Sequence, residues 1–147
     1  MIDMAAITSI EDAHTSGAYY KRPLNIVRGE GSTVWDEAGN AYIDVTSGQG
    51  VALLGHSHPA VASAIASQAA QLITCPEIFY NGRRAGLYTL LSSLTPGDLD
   101  RFFLCNSGAE ANEGALKVAT ALTGRSGVVA TKRAFHGRTM GALSLTW

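Results

Sequence analysis

Residues 101–131, RFFLCNSGAEANEGALKVATALTGRSGVVAT, decide the fold. Arg101-Phe102-Phe103-Leu104-Cys105 is a short, continuous apolar run, the composition of a strand buried on both faces. Beyond it Ala111, Ala115, Val118, Ala119 and Leu122 recur at helical spacing, and Gly124 stands where a helix closes on a left-handed residue. Val128-Val129-Ala130-Thr131 reads as the next strand. Strand, helix and strand thus fall within about thirty residues, the length of a βαβ unit, and predict an α/β fold with strands of parallel sense.

The hand-over from strand to helix is Asn106-Ser107-Gly108-Ala109-Glu110-Ala111-Asn112. Ser107 caps the helix and Glu110, three residues on, completes a capping box. Gly108 lets the backbone come close to a ligand, and the open N–H groups together with the helix dipole attract phosphate. Such a turn lies at the carboxyl edge of the sheet, where open α/β folds place ligands. The same signature in isolation simply starts a helix, so its meaning depends on context. No Gly-Lys-Ser/Thr follows and the spacing is not that of a dinucleotide fingerprint, which argues against a nucleotide triphosphate.

A second constellation, Ala134-Phe135-His136-Gly137-Arg138-Thr139, follows the second strand directly. Two parallel strands end at one sheet edge, so this segment is expected beside the Ser107-Gly108-Ala109 turn. Phe135 or His136 would lie flat against an aromatic cofactor, and Arg138 offers a planar fork for a substrate carboxylate. The structural alternative places Phe135 in the core, His136 in a hydrogen-bonded turn and Arg138 in solvent.

Upstream, residues 1 to about 55 are short, turn-rich and aromatic. TVWD and AYIDV flank Glu37-Ala38-Gly39-Asn40 and predict a β-hairpin in a small lobe. The opening MIDMAAITSIEDAH reads as a short helix or a frayed end, with no basic region or long apolar run of a signal peptide or membrane span. After Pro59 helical spacing sets in, with Val61, Ala64, Ile65, Ala69, Leu72 and Ile73, then Leu87, Leu90, Leu91 and Leu94 up to Thr95-Pro96-Gly97-Asp98. Gly55-His56-Ser57-His58-Pro59 has two histidines but no carboxylate or cysteine at ligand spacing. Pro59 just inside the helix, with Ser57 or His58 as cap, accounts for the cluster without a metal.

Composition bounds the rest. With 46% apolar residues in 147 the chain is expected to be globular and to fill a core of ordinary size. Lys plus Arg number 11 against 12 Asp plus Glu, a net charge of -1 that offers no cationic face for nucleic acid. Cys75 and Cys105 form no CxxC pair, which suits a reducing cytoplasm and neither a disulfide framework nor a zinc site.

WDEAGNAYIDV with GHSHP, then FFLCNSGAEANEGALK, then AFHGRTMGALS occur in one order, and together they resemble the class III aminotransferases. The resemblance runs from about Tyr19 onward. AFHGRT and ITCPEIFYN are similar to the acetylornithine and ornithine type, including enzymes acting on carrier-bound aminoadipate semialdehyde. It implies the fold type I of pyridoxal-phosphate enzymes, with residues 1–57 in a small N-terminal domain and 58–147 opening the cofactor-binding large domain. Ser107, Gly108 and Ala109 would hold the phosphate of pyridoxal 5'-phosphate, Phe135 would stack on its ring with His136 adjacent, and Arg138 would bind the substrate's α-carboxylate. The expected reaction passes the amino group of an acetylornithine-like donor to 2-oxoglutarate, in a cytoplasmic homodimer of a biosynthetic pathway.

The catalytic Schiff-base lysine of the family is expected downstream of these residues, since Lys21, Lys117 and Lys132 do not match its context. Taken by itself the polypeptide would then be a non-catalytic fragment, with uncovered apolar faces that favour association or poor solubility. A phosphate-sugar or nucleotide module sharing the strand-to-helix turn is the reading from another class.

Overall fold

The computed structural model describes residues 3–147. The chain divides into two compact units, Met1–Cys75 and Pro76–Trp147. The first contains α1 (Met4–His14), β1 (Ile26–Glu30), β2 (Thr33–Asp36), β3 (Ala41–Ile43), α2 (Ser47–Gly50) and α3 (Pro59–Ala69). The second contains α4 (Gly82–Leu94), α5 (Gly108–Thr123) and α6 (Met140–Leu145).

In the first unit the opening residues do form a helix, because the Asp3 carboxylate accepts the Ala6 N–H at 2.8 Å and caps α1. The three strands pair antiparallel in the order β1-β2-β3, with Thr33 opposite Ile43 and Trp35 opposite Ala41 in the predicted hairpin. Asp36 closes that hairpin. It is 8% exposed, and its carboxylate accepts the Asn40 N–H at 2.8 Å, the Asn40 amide at 2.9 Å and the Tyr42 hydroxyl at 2.8 Å. Trp35 carries the Arg28 guanidinium over its ring at 3.5 Å.

Past β3, Asp44 accepts the Thr46 hydroxyl at 2.6 Å, the Thr46 N–H at 2.9 Å and the Gly48 N–H at 2.8 Å, and meets His56 Nε2 at 2.8 Å. α2 is a distorted turn, with Gly48 at φ 58° and Gln49 at φ 64°. His56 also exchanges backbone hydrogen bonds with Gly31, which ties the GHSHP segment to the β1–β2 turn. Pro59 is the first residue of α3, as the sequence predicts, and His58 takes the cap position. Its side chain makes no cap hydrogen bond, since imidazole is not one of the short side chains that reach back to the first-turn amides.

These carboxylates make the unit acid-sensitive. The Asn40 side chain first, then Tyr42, hold Asp36 below its ordinary 3.8, and Thr46 first, then His56, hold Asp44 far below it. A depressed folded-state pKa stabilises above the ordinary value and is lost as pH falls through it. Amide protection in Thr33–Ile43, taken relative to the intrinsic exchange rate at each pH, is therefore expected to be high at pH 6 and to fall below about pH 4, and Asp36→Asn is expected to flatten that dependence. A protection profile with no such fall would refute the assignment.

In the second unit the Asn81 side chain accepts the Arg83 and Arg84 N–H groups at 2.9 and 3.1 Å and caps α4, which ends at Thr95 before Pro96-Gly97. Tyr88 of that helix stacks on Phe102, with centroids 6.1 Å apart. α5 ends as predicted, with Gly124 left-handed at φ 68°.

Two expectations fail here. Arg101–Cys105 and Val128–Thr131 run without a strand ladder, and Phe103 and Val129 are 75% and 98% exposed rather than buried on both faces. Apolar content marks a segment able to fill a sheet interior but supplies no hydrogen-bonding neighbour, and two such runs alone are marginal. The core of ordinary size is also missing: Ala142 is the one fully buried apolar residue among the described residues. The helices form, but the predicted stripes are not covered: Val61 and Ile65 on α3 and Val118 and Leu122 on α5 stay exposed, and Ile73, expected on the first stripe, lies beyond the end of α3 at Ala69.

Candidate functional site

Ser107, Gly108 and Ala109 form the start of α5 in the second unit. Ser107 is extended at φ -156°, and its hydroxyl accepts the Glu110 N–H at 3.2 Å. The Glu110 carboxylate returns to the Asn106 N–H at 2.7 Å, one residue further back than the box requires. Cys105 Sγ donates to the Ser107 carbonyl at 3.5 Å. No acceptor among the described residues meets the Gly108 and Ala109 N–H groups. Apart from its chain neighbours and the backbone of its own helix, no atom lies within 4 Å of where a Gly108 side chain would begin, so the turn opens outward. Two unclaimed first-turn amides at a positive helix end suit an oxyanion.

The second constellation packs directly on this turn. Gly137 is buried at φ 137°, and a methyl group there would stand 2.7 Å from the Ala109 side chain and 3.0 Å from that of Ala142. Only glycine permits that approach. Asn112 Nδ2 donates to the His136 carbonyl at 2.6 Å. Glu113 Oε1 accepts the Gly141 and Ala142 N–H groups at 2.8 and 3.2 Å, which caps α6. Thr146 Oγ1 accepts the His136 N–H at 3.0 Å, while the Trp147 N–H reaches the Ala134 carbonyl at 3.1 Å.

Phe135 is 63% exposed and His136 half-buried, and the Arg138 guanidinium lies 4.8 Å from the Phe135 ring centroid. The structure thus brings Phe135, His136 and Arg138 onto the segment that adjoins the Ser107–Ala109 turn. The proposed core role for Phe135 does not hold. Asn112, Glu113 and Thr146 escape sequence reasoning. Asn112 and Glu113 interrupt an alanine- and glycine-rich helix face with two polar residues, half-buried in its second turn, and that was the available signal.

Of the three lysines, Lys21 lies in the first unit and pairs with Glu11. Lys117 follows Glu113 by one turn of α5, and both it and Lys132 are exposed. His56 is engaged by Asp44, and His58 Nδ1 is enclosed without a partner. No cluster of three or more His, Cys, Asp or Glu among the described residues is arranged to hold a metal.

The sequence profile of the aminotransferase class-III family matches residues 15–147. The chain belongs to the class III aminotransferases. It is 51% identical over 137 residues to the [LysW]-aminoadipate semialdehyde transaminase of Deinococcus radiodurans, covering 93% of this chain and 32% of that protein. It is 46% identical over 136 residues to the acetylornithine aminotransferase of Methanopyrus kandleri, covering 92% of this chain and 35% of that protein. The crystal structure of adenosylmethionine-8-amino-7-oxononanoate aminotransferase from Methanocaldococcus jannaschii superposes with a TM-score of 0.87 at 30% identity, covering 98% of this chain and 36% of the other. The chain spans about a third of the length of these relatives. Its fold class is that of the N-terminal part of a pyridoxal-phosphate-dependent aminotransferase of fold type I, an α/β architecture.

Proposed function

We propose that these residues form the phosphate- and carboxylate-binding part of an aminotransferase that moves an amino group from an acetylornithine- or ornithine-like donor to 2-oxoglutarate. The observation that carries this reading is the seating of the arginine-bearing loop directly on an open helix N-terminus, at Gly137 against Ala109. The residues fit the phosphate of pyridoxal 5'-phosphate: two unclaimed amides, a serine hydroxyl and an unobstructed glycine. When bound, that cofactor supplies the electron sink through which an amino group passes between donor and acceptor.

The Gly108 and Ala109 amides and the Ser107 hydroxyl would bind the phosphate, with the α5 dipole favouring its charge. Phe135, whose ring is largely exposed, would support the flat pyridine, with His136 beside it. Arg138 would orient the α-carboxylate through a two-pronged hydrogen bond, which lysine cannot make. Residues 1–57 would belong to the small domain and 58–147 to the large one. The lysine that anchors the cofactor would come from beyond these residues, in a cytoplasmic homodimer. Two thiols, Cys75 and Cys105, with no disulfide between them suit a reducing compartment.

A second donor is favoured by one observation, the 51% identity to a transaminase named for carrier-bound aminoadipate semialdehyde, which would move the reaction from arginine to lysine biosynthesis. Supplying acetylornithine and the carrier-bound donor in parallel separates the two. The reading itself is tested by titrating the chain with pyridoxal phosphate and with nucleotides, then reducing with borohydride and weighing the product. Phosphate-dependent binding of the pyridoxal compound with no label on Lys21, Lys117 or Lys132 is the expected result. A specific label on one of them, or a preference for nucleotides, would overturn it.

A further inference from the structure

We propose that Asn112 and Glu113 are positioning residues, which hold the Phe135–Arg138 segment against the Ser107–Ala109 turn and so set the distance between the cofactor's phosphate and the substrate's carboxylate. This rests on reading that turn as the phosphate site. The segment has no ladder to fix it, and its placement depends on side chains. From α5, Asn112 bonds the His136 carbonyl at 2.6 Å and Glu113 gathers the Gly141 and Ala142 amides. From the far side Thr146 Oγ1 accepts the His136 N–H and donates to the Gly137 carbonyl at 3.2 Å, next to the Trp147 N–H on the Ala134 carbonyl.

Asn112 and Glu113 lie one helical turn beyond the phosphate turn, on the same rigid element. Any shift of the loop relative to the turn therefore has to break one of these bonds. Both amides converge on Oε1 of Glu113, an acceptor atom that glutamine shares. The Thr139 hydroxyl first, then the Ala142 amide, lower the Glu113 pKa, as expected for a carboxylate ringed by donors. Neither residue needs to touch cofactor or substrate. They act through Phe135, His136 and Arg138.

The test uses the full-length protein with Asn112→Ala, Glu113→Ala and Glu113→Gln. Loss of a hydrogen bond to a charged group corresponds to about tenfold in an equilibrium constant. Glu113→Ala is expected to raise both the pyridoxal phosphate Kd and the KM for the amino donor by about that factor, with kcat at saturation changed less than about threefold. Asn112→Ala, which removes one neutral bond and keeps the cap of α6, is expected to show a smaller shift in the same direction. Glu113→Gln is expected to stay close to wild type.

Amide exchange at His136, Gly141 and Ala142 is read without cofactor and is expected to accelerate in both alanine variants. If the alanine variants only melt earlier, with Kd, KM and local exchange unchanged, the proposal fails. It fails too if Glu113→Gln is as impaired as Glu113→Ala. A wild-type protein that binds no pyridoxal phosphate would instead sink the phosphate reading, while the exchange differences would still report whether the clamp exists.

Discussion

Gly137→Ala is expected to weaken pyridoxal phosphate binding by about a hundredfold, equivalent to about 3 kcal/mol. Two independent effects act at this position. A non-glycine residue at φ 137° is strained, at roughly 1–3 kcal/mol. Its Cβ would also stand 2.7 Å from the Ala109 side chain, an overlap that costs a further 1–3 kcal/mol or so unless the loop backs away. Backing away is the cheaper path, since Ala109 belongs to a helix and the loop does not. The loss is therefore expected in ligand affinity, with far-ultraviolet helix signal retained. Wild-type affinity in this variant would mean that the loop and turn do not share a site.

Arg138→Ala is expected to raise KM for the amino donor by about a hundredfold while leaving the affinity for pyridoxal phosphate within about threefold. A carboxylate held by a fork of two charge-assisted hydrogen bonds is held alike before and during the reaction, so the loss falls on KM more than on kcat. Arg138→Lys is expected to recover only part of it, because a point charge keeps the attraction and loses the geometry. The contact between Arg138 and Phe135 at 4.8 Å adds an orientation effect, which Phe135→Leu is expected to expose as a smaller rise in KM. Steady-state kinetics with a donor that carries no α-carboxylate supplies the control, since Arg138 should then matter little.

Local features of this fold are written locally. The Ser107–Glu110 cap, the left-handed Gly124, the turn at Glu37–Asn40 and the proline that opens α3 each depend on residues within four positions of one another, and all are legible in the sequence. What joins the site is not local. The Asn112–His136 bond spans 24 residues and the Glu113–Gly141 bond 28, and no periodicity announces either. The apolar runs 101–105 and 128–131 identify segments suited to a sheet interior, but a ladder belongs to pairs of strands, and composition does not name the partner. The same limit explains the core: the stripe on α5 predicts which face seeks cover and is silent on what covers it.

The β1-β2-β3 meander, in which every strand pairs with its neighbour in sequence, has a consequence for the order of events during synthesis. Pairing between adjacent segments closes only short loops, so little chain entropy opposes it and it forms on the order of microseconds. A ribosome adds roughly 5–20 residues per second, so the meander has time to form and reopen thousands of times before the next residue is added. Segments 101–105 and 128–131 have no such neighbour and stay unpaired while the chain grows. The nascent polypeptide thus carries an early-formed foothold followed by two short apolar runs on either side of α5, the segments on which a chaperone would be expected to act.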